Sequence, residues 1–175
     1  LDPGSIGRSH NCQNFFMKIA LLGYGKMGKA IEQLAMAAGH DIALRIDAGN
    51  VDELTEDELR RADVAIEFSR PPSAFDNIRR CLESGVPVIS GTTGWLDRLP
   101  EARTLCRVHG GAFLYASNFS IGVNLFFALN RYLARLMDGQ PQYGVSISEI
   151  HHTQKLDAPS GTAITLGEAI AEELQ

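Results

Sequence analysis

The residues best suited to acid–base chemistry lie in one stretch near the carboxyl end, from Glu149 to Ala163, with the sequence E-I-H-H-T-Q-K-L-D-A-P-S-G-T-A. Two adjacent histidines, His151 and His152, precede Lys155, which is the only lysine or arginine between Leu136 and Gln175. A cation isolated in this way is poorly explained as part of a solvated charged face. It is suited instead to donating a proton or to binding a carboxylate.

An anion site is predicted directly after these residues, where Ser160-Gly161-Thr162 opens a helix. Serine is typical of a helix N-cap, and the backbone N–H groups of the first turn are free to bind a negative charge. The simpler alternatives are a serine that only caps the helix and a histidine that is merely hydrogen-bonded at a strand end. We expect no metal at His151 and His152, because adjacent strand residues point to opposite faces and no third ligand has suitable spacing.

A second candidate site is a glycine-rich loop, Gly23-Tyr24-Gly25-Lys26-Met27-Gly28, which fits the pattern G-x-G-x-x-G. A predicted strand precedes the loop and a predicted helix follows it. Asp47 ends the next strand, 19 residues after Gly28 (47 − 28 = 19), close to the roughly 20 expected for the acid that binds a ribose hydroxyl. The pattern favours a dinucleotide site; the alternative is a tight turn without a ligand.

Each glycine has a defined place in that interpretation. Gly23 permits the tight turn, Gly25 lets the backbone approach a pyrophosphate, and Gly28 allows close packing of helix on strand. Asp47 would disfavour a 2′-phosphate by charge repulsion, which makes NAD the first choice. Arg45 lies two residues earlier, on the same face of the strand, and could offset that repulsion, so NADP stays open.

Two further polar loops follow later strands, and both are expected to face the nicotinamide half of the cofactor. They are Gly91-Thr92-Thr93-Gly94 and Ala116-Ser117-Asn118-Phe119. Ligands of an open parallel sheet lie beyond the carboxyl ends of its strands. The alternative for each loop is an ordinary polar turn.

Composition excludes several classes of protein. The chain has 175 residues, 45% of them hydrophobic, and 16 Lys+Arg against 21 Asp+Glu give a net charge of −5. These values exclude a disordered chain and argue against nucleic-acid binding, which needs basic surface. The three cysteines, Cys12, Cys81 and Cys106, form no C-x-x-C pair and favour a reducing cytoplasm. No apolar stretch is typical of a membrane span.

The elements that must position these residues alternate between strand and helix. Strands are predicted over Lys18–Leu22, Asp41–Ile46, Val64–Phe68, Val86–Ser90 and Phe113–Ala116. Helices are predicted over Met27–Ala38, Leu54–Arg61 and Leu99–His109, and from Pro71 to a stop at Gly85. This order predicts an α/β fold, a Rossmann-type parallel sheet covered by helices on both faces.

The pattern changes after Asn118, where we predict a second domain of α+β type. A helix over Val123–Met137, a strand over Tyr143–Ile150 and a helix over Gly161–Leu174 are expected, which is too little to close a sheet and leaves this domain incomplete. The predicted division is a leader or extension at 1–16, a dinucleotide-binding domain at 17–118 and part of a substrate-binding and tetramerisation domain at 119–175. Four large apolar residues are assigned to packing, namely Met27, Trp95, Phe126 and Phe127.

The motifs together resemble the family of 4-hydroxy-tetrahydrodipicolinate reductases (dihydrodipicolinate reductases) of lysine and diaminopimelate biosynthesis. Besides the glycine loop and the histidine–lysine segment, the resemblance rests on E-F-S-R-P at Glu67–Pro71, G-T-T-G at Gly91–Gly94 and A-S-N-F-S-I-G-V-N at Ala116–Asn124. It implies hydride transfer from NADH or NADPH to a cyclic dicarboxylate imine with loss of water, and a homotetramer.

The resemblance also implies roles for single residues. His151 is the acid/base group, Lys155 is the proton donor, and His152, Gly161 and Thr162 hold the carboxylates of the substrate. The cofactor is held by Gly23, Tyr24, Gly25, Lys26, Met27, Gly28, Asp47, Gly91, Thr92, Thr93, Ala116, Ser117, Asn118 and Phe119. Two alternatives are kept: another Rossmann-type amino-acid or sugar dehydrogenase, which would lack the histidine–lysine segment, and a dinucleotide-binding module without catalysis.

Overall fold

Five parallel strands form one sheet in the computed structural model, which describes residues 16–151, 153 and 158–174. The strands are β1 (Lys18–Leu22), β2 (Asp41–Ile46), β3 (Val64–Glu67), β4 (Val88–Ser90) and β5 (Phe113–Tyr115). Their order across the sheet is β2-β1-β3-β4-β5, and every neighbouring pair is parallel. The predicted Rossmann-type α/β fold is confirmed.

Six α-helices accompany the sheet in the described residues. They are α1 (Lys26–Ala37), α2 (Glu56–Leu59), α3 (Pro71–Glu83), α4 (Leu99–Val108), α5 (Ile121–Met137) and α6 (Gly161–Glu173). The predicted helix over Leu54–Arg61 is shorter than expected, because Thr55 caps α2 by accepting a 3.3 Å hydrogen bond from the Glu58 N–H. Short 3-10 turns at Val51–Glu53 and Leu96–Arg98 were not anticipated by the sequence pattern.

Alternation along β1 divides the hydrophobic core between the two faces of the sheet. Ala20 and Leu22 are buried in the larger cluster, together with residues of α2, α3 and α4. Ile19 and Leu21 point the other way, into a smaller cluster with Ala35 of α1. A strand that is apolar on both faces is typical of a parallel sheet covered by helices. Among the described residues, α1 packs on one face of β1, and α2, α3 and α4 contribute to the cluster on the other face.

The strand order reverses between β1 and β3, and this position sets the location of the site. The chain leaves β1 at Gly23 and runs through α1 to β2 on one side, whereas it leaves β3 at Phe68 and runs through α3 to β4 on the other. The two loops therefore diverge at the carboxyl ends of adjacent strands and open a crevice, where ligands of doubly wound sheets bind.

Helices α5 and α6 pack on each other beyond the sheet. The Asn130 side chain donates a 3.1 Å hydrogen bond to the Leu166 carbonyl. Arg135 forms two 3.0 Å hydrogen bonds with the Glu173 carboxylate. Ser120 caps α5 by accepting from the Val123 N–H at 3.4 Å, so the helix begins two residues earlier than predicted.

Two sequence-based predictions are wrong. Residues 143–150 form no strand, and their side chains are exposed, because among the described residues no neighbouring strand is available to pair with them. Met27 and Phe126 do not pack in a core, since they are 51% and 52% exposed, whereas Trp95 is buried as predicted. In α1 the buried positions are Gly28 and Ala35, which turns Met27 toward solvent. Within the described ranges, no helix has the length and apolar character to cross a membrane.

Candidate functional site: a dinucleotide cleft and a histidine cluster

A cleft of about 550 Å³ lies at the point where the strand order reverses. Four residues predicted to hold a cofactor line it: Gly23, Tyr24 and Gly25 of the glycine loop, and Asp47 directly after β2. The opposite wall comes from the loop after β3, including Phe68, Ser69 and Arg70. The volume lies within the range usual for small-molecule sites.

The three motif glycines differ in what requires them. A Cβ on Gly23, whose φ is +99°, would lie 2.0 Å from the Phe68 carbonyl oxygen, and one on Gly28 would lie 2.3 Å from the Gly23 carbonyl oxygen. Glycine is therefore required at both positions, because another part of the backbone approaches too closely to leave room for a Cβ. A Cβ on Gly25 would meet no atom within 4 Å, so protein packing does not require glycine there and the space beside it belongs to the cleft.

The start of α1 faces this space without a side-chain cap. Gly25 is the N-cap residue, and no side chain accepts a hydrogen bond from the first turn of the helix. Lys26 and Met27 occupy that turn and are exposed. Uncapped N–H groups at a helix N-terminus, with a lysine beside them, form a site that suits a phosphate.

Asp47 is held at the rim of the cleft by its own loop. One carboxylate oxygen accepts a 2.6 Å hydrogen bond from the Gly49 N–H, and the Asp47 N–H donates to the Asn50 side chain at 2.8 Å. The second carboxylate oxygen accepts no hydrogen bond from any residue that the structure describes. The geometry leaves it available to the hydroxyls of a ribose.

Arg45 does not stand beside Asp47 as a free cation, which corrects the expectation that it offsets the charge of that carboxylate. Its Nε donates a 2.8 Å hydrogen bond to Glu32 of α1, and a second nitrogen of the guanidinium contacts the same oxygen. The Tyr24 hydroxyl donates to the other oxygen of Glu32.

Phe68 joins the loops that follow β3, β4 and β5. A Cβ on Gly91 would lie 2.1 Å from the Phe68 ring, so Gly91 is glycine because the ring packs directly on its backbone. The ring of Phe119, 45% exposed, lies with its centroid 6.0 Å from that of Phe68. Gly91 and Phe119 therefore both pack on Phe68, which lines the cleft and to which the sequence pattern gave no role of its own.

A fully buried carboxylate, Glu67, organises the same wall. Its oxygens accept hydrogen bonds from the Ser90 hydroxyl at 2.6 Å, the Thr92 hydroxyl at 2.8 Å and the Ser69 N–H at 2.9 Å, and also from the Ser69 hydroxyl. Thr92, predicted to bind cofactor, directs its hydroxyl inward to this network. The sequence signal for this network is three hydroxyl residues at the ends of two adjacent strands. Ser69 follows β3, Ser90 ends β4 and Thr92 follows β4.

The other predicted cofactor residues lie on loops beyond these strands. Thr93 and Ser117 are exposed, and the Ala116 N–H donates to the Ser90 carbonyl at 3.2 Å. The Asn118 side chain accepts a 2.8 Å hydrogen bond from the Ser120 N–H, so it shapes the turn into α5. No contact among the described residues assigns these four a ligand.

A second cluster joins His151 to the N-terminus of α6 through Glu149. One oxygen of Glu149 lies 2.8 Å from His151 Nε2, and the other accepts a 2.9 Å hydrogen bond from the Ser160 N–H. The Ser160 hydroxyl caps the helix by accepting from the Ala163 N–H at 3.0 Å. Hydrogen bonds from Ser160, with the contact to His151, lower the pKa of Glu149 to about 2.

Glu149 is a candidate site residue to which the sequence pattern gave no role. The available signal was its spacing from His151, because residues i and i+2 of an extended segment point the same way. An ionised carboxylate on one ring nitrogen orients an imidazole and selects its tautomer. Gly161 and Thr162 form the first turn of α6, next to this pair. His152 and Lys155 lie outside the described residues.

Comparison with known proteins gives matches along almost the whole described chain. Residues 17–119 match the family model for the N-terminus of dihydrodipicolinate reductase, and residues 122–175 match the model for its C-terminus. The 4-hydroxy-tetrahydrodipicolinate reductase of Christiangramia forsetii is 52% identical over 159 residues, which are 90% of this chain and 65% of that protein. The enzyme of the same name from Chromobacterium violaceum is 44% identical over 118 residues, which are 66% of this chain and 42% of the relative.

A solved structure agrees with these sequence matches. The dipicolinate-bound dihydrodipicolinate reductase of Paenisporosarcina sp. TG-14 superposes with a TM-score of 0.72 at 27% identity, over 90% of this chain and 66% of that one. The chain thus spans just under two thirds of the length of its 52%-identical relative and of this structure. With both family models matched in order, the chain belongs to the dihydrodipicolinate reductase family.

Proposed function

We propose that this chain carries the nucleotide site and the catalytic histidine–lysine segment of a 4-hydroxy-tetrahydrodipicolinate reductase. The family consists of oxidoreductases of lysine and diaminopimelate biosynthesis that use a pyridine nucleotide on the N-terminal domain. The proposed reaction reduces 4-hydroxy-tetrahydrodipicolinate to tetrahydrodipicolinate with loss of water. When bound, the reduced nicotinamide supplies the hydride.

The observation that carries this proposal is the cleft between the glycine loop and Phe68. Gly25 leaves open space beside an uncapped helix N-terminus, which suits a pyrophosphate, and Asp47 presents a carboxylate oxygen to a ribose. Because a 2′-phosphate would meet that carboxylate, we propose NADH as the preferred cofactor and NADPH as the weaker one. Gly91 and Phe119, packed on Phe68, are proposed to face the nicotinamide half.

The proposed substrate is a cyclic imine that carries two carboxylates. The related structure from Paenisporosarcina binds dipicolinate, itself a ring dicarboxylate. In this chain Gly161 and Thr162 open α6, whose N-terminus suits one carboxylate. His152 and Lys155 are proposed to complete the site. The family match argues directly against the alternative of an unrelated dehydrogenase. The anion site at the start of α6 argues against it less directly.

In the proposed mechanism each polar residue has one task. Glu149 orients the imidazole of His151, which acts as the acid/base group beside the substrate. Lys155 donates the proton that completes reduction of the imine. The N–H groups at the start of α6 hold the substrate carboxylate in place, which fixes the ring relative to these groups.

The proposed organisation extends to domains, assembly and location. We propose a dinucleotide-binding domain at 17–118, a substrate-binding and tetramerisation domain at 119–175, and a leader or extension at 1–16. The exposed apolar side chains of α5, such as Ile121 at 79% and Leu125 at 65%, support burial in a homotetramer. The free thiols of Cys81 and Cys106 support a reducing cytoplasm.

Equilibrium titration of the purified chain tests the proposal. We expect NADH to bind, and dipicolinate to bind more tightly to the NADH complex than to the chain alone. Turnover of 4-hydroxy-tetrahydrodipicolinate is then measured by the loss of NADH absorbance. Binding of NADH without turnover would instead support the non-catalytic dinucleotide module, and failure to bind either nucleotide would overturn the assignment of the cleft.

A further inference from the structure

An ion pair on the α1 side of the sheet links the wall of the dinucleotide cleft to an arginine. Arg45 donates from Nε to Glu32 at 2.8 Å, and the Tyr24 hydroxyl donates to the second oxygen of the same carboxylate. Tyr24 lines the cleft together with Asp47. Glu32 thus stands between a residue of the cleft wall and the arginine two positions before the ribose acid.

The three groups form a single charge-balanced unit. Glu32 has an exposed side-chain fraction of 15%, against 41% for Arg45. Hydrogen bonds from Tyr24 and then from Arg45 hold the pKa of Glu32 below its ordinary value, and Glu32 raises the pKa of Tyr24. The carboxylate therefore stays ionised at neutral pH, and it neutralises the guanidinium that it contacts.

The backbone places Arg45 where a free cation would matter. In the register of the sheet Arg45 is opposite Leu21, whose side chain packs on the α1 side, and Arg45 accordingly meets α1. Asp47 follows by two residues, and side chains two apart on an extended chain share a face. A guanidinium beside the ribose acid is the group that accepts a 2′-phosphate, because it forms paired, charge-assisted hydrogen bonds with phosphate oxygens.

We propose that Glu32 is a specificity-determining residue, which disfavours NADPH by holding Arg45 in an ion pair and away from the 2′ position of the cofactor. The inference rests on the proposed nucleotide site and extends it: Asp47 repels the 2′-phosphate, and Glu32 withholds the cation that would compensate. Neither residue contacts the reacting atoms. Cofactor preference in this chain is then set by two carboxylates, one at the rim and one on α1.

The test measures dissociation constants of NADH and NADPH for the purified chain and for Glu32→Gln. Releasing Arg45 should tighten NADPH binding by about tenfold, within the range for hydrogen bonds between charged groups, while NADH changes little. Glu32→Ala, which removes the acceptor altogether, should give the same direction. The gain should shrink at high salt, since screening weakens a surface contact with a phosphate.

Two further variants separate this role from a general effect on the fold. In Glu32→Gln combined with Arg45→Gln, the NADPH gain should vanish, because the cation that produced it has been removed. Glu83→Gln, which breaks the ion pair of Glu83 with Arg79 on α3, should leave the ratio of the two constants unchanged.

The outcomes distinguish the inference from the function beneath it. If the wild-type chain binds NADH but Glu32→Gln leaves the NADPH-to-NADH ratio unchanged, the role of Glu32 is wrong and the nucleotide site stands. The same conclusion follows if the double variant keeps the gain. If the wild-type chain binds neither nucleotide, the proposed function itself fails.

Discussion

The backbone N–H of Ser160 donates a 2.9 Å hydrogen bond to the carboxylate of Glu149, eleven residues earlier in the chain. This bond ties the segment that carries His151 to Ser160, the N-cap of α6. A carboxylate that accepts from a helix N-terminus is stabilised in its charged form by both the hydrogen bond and the helix dipole. One side chain therefore holds together His151, the proposed acid/base group, and the proposed anion site.

Glu149 should make the stability of the chain depend on acidic pH. Its pKa is about 2 in the folded chain, against an ordinary value of 4.5, so its contribution is fully present above about pH 4.5 and is lost as pH falls toward 2. We expect the difference in melting temperature between wild type and Glu149→Gln to be constant near neutrality and to shrink in that window. A difference that stays constant down to pH 3 would contradict the linkage.

The buried carboxylate of Glu67 should be necessary for the stability of the cleft wall. Glu67→Ala leaves a cavity and removes the acceptor of Ser69, Ser90 and Thr92, and each buried polar group left unpaired costs about 1–3 kcal/mol. We expect the free energy of unfolding to fall by about 3 kcal/mol or more in urea denaturation.

A matched control uses an exposed glutamate. Glu101 pairs with Arg98 at the surface, with 53% of its side chain exposed, and such pairs contribute about 0–1 kcal/mol. Glu101→Ala should therefore change stability little. Equal losses for the Glu67 and Glu101 variants would show that the buried network contributes nothing specific.

The same substitution at two glycines of one loop should separate ligand binding from folding. Gly25→Ser places a side chain in open cleft space and supplies a good N-cap for α1, so stability should be kept, while NADH binding should weaken about tenfold or more. Gly28→Ser drives a Cβ to 2.3 Å from the Gly23 carbonyl oxygen and should lower the melting temperature. Calorimetric titration and thermal melts measure both effects. Unchanged NADH affinity in Gly25→Ser would contradict the assignment of the pyrophosphate to this loop.

Local patterns in the sequence were sufficient for the sheet and for the glycine loop. β1 and β2 have the predicted bounds, Lys18–Leu22 and Asp41–Ile46, because each is a mostly apolar segment of strand length bounded by residues that end it. Gly23, Gly25 and Asp47 meet in one cleft because their spacing follows from the geometry of a β-α-β unit.

The rest depended on contacts between residues far apart in the chain. Glu67 meets Ser90 and Thr92 across 23 and 25 residues, and no periodicity encodes such a pairing. The sequence placed Arg45 on the same face as Asp47, where it could offset the charge of that carboxylate, because strand alternation shows the face of a residue; it does not show the partner on the helix above, which is Glu32. Residues 143–150 alternate like a strand, yet a strand exists only where another pairs with it.

The last prediction concerns the proton transfers of the proposed reaction. Positioned acid–base groups contribute roughly 10²–10⁴-fold to rate, so Lys155→Ala and His151→Ala should each lower kcat for 4-hydroxy-tetrahydrodipicolinate by about that factor. NADH affinity should be unchanged, because neither residue lies in the nucleotide loops. The two effects should be less than additive if the residues act as one unit. Thr162→Val should instead mainly raise KM, by weakening the carboxylate site at the start of α6. Steady-state kinetics and NADH titration of the same preparations measure these changes, and a near-normal kcat in Lys155→Ala would show that another group donates the proton.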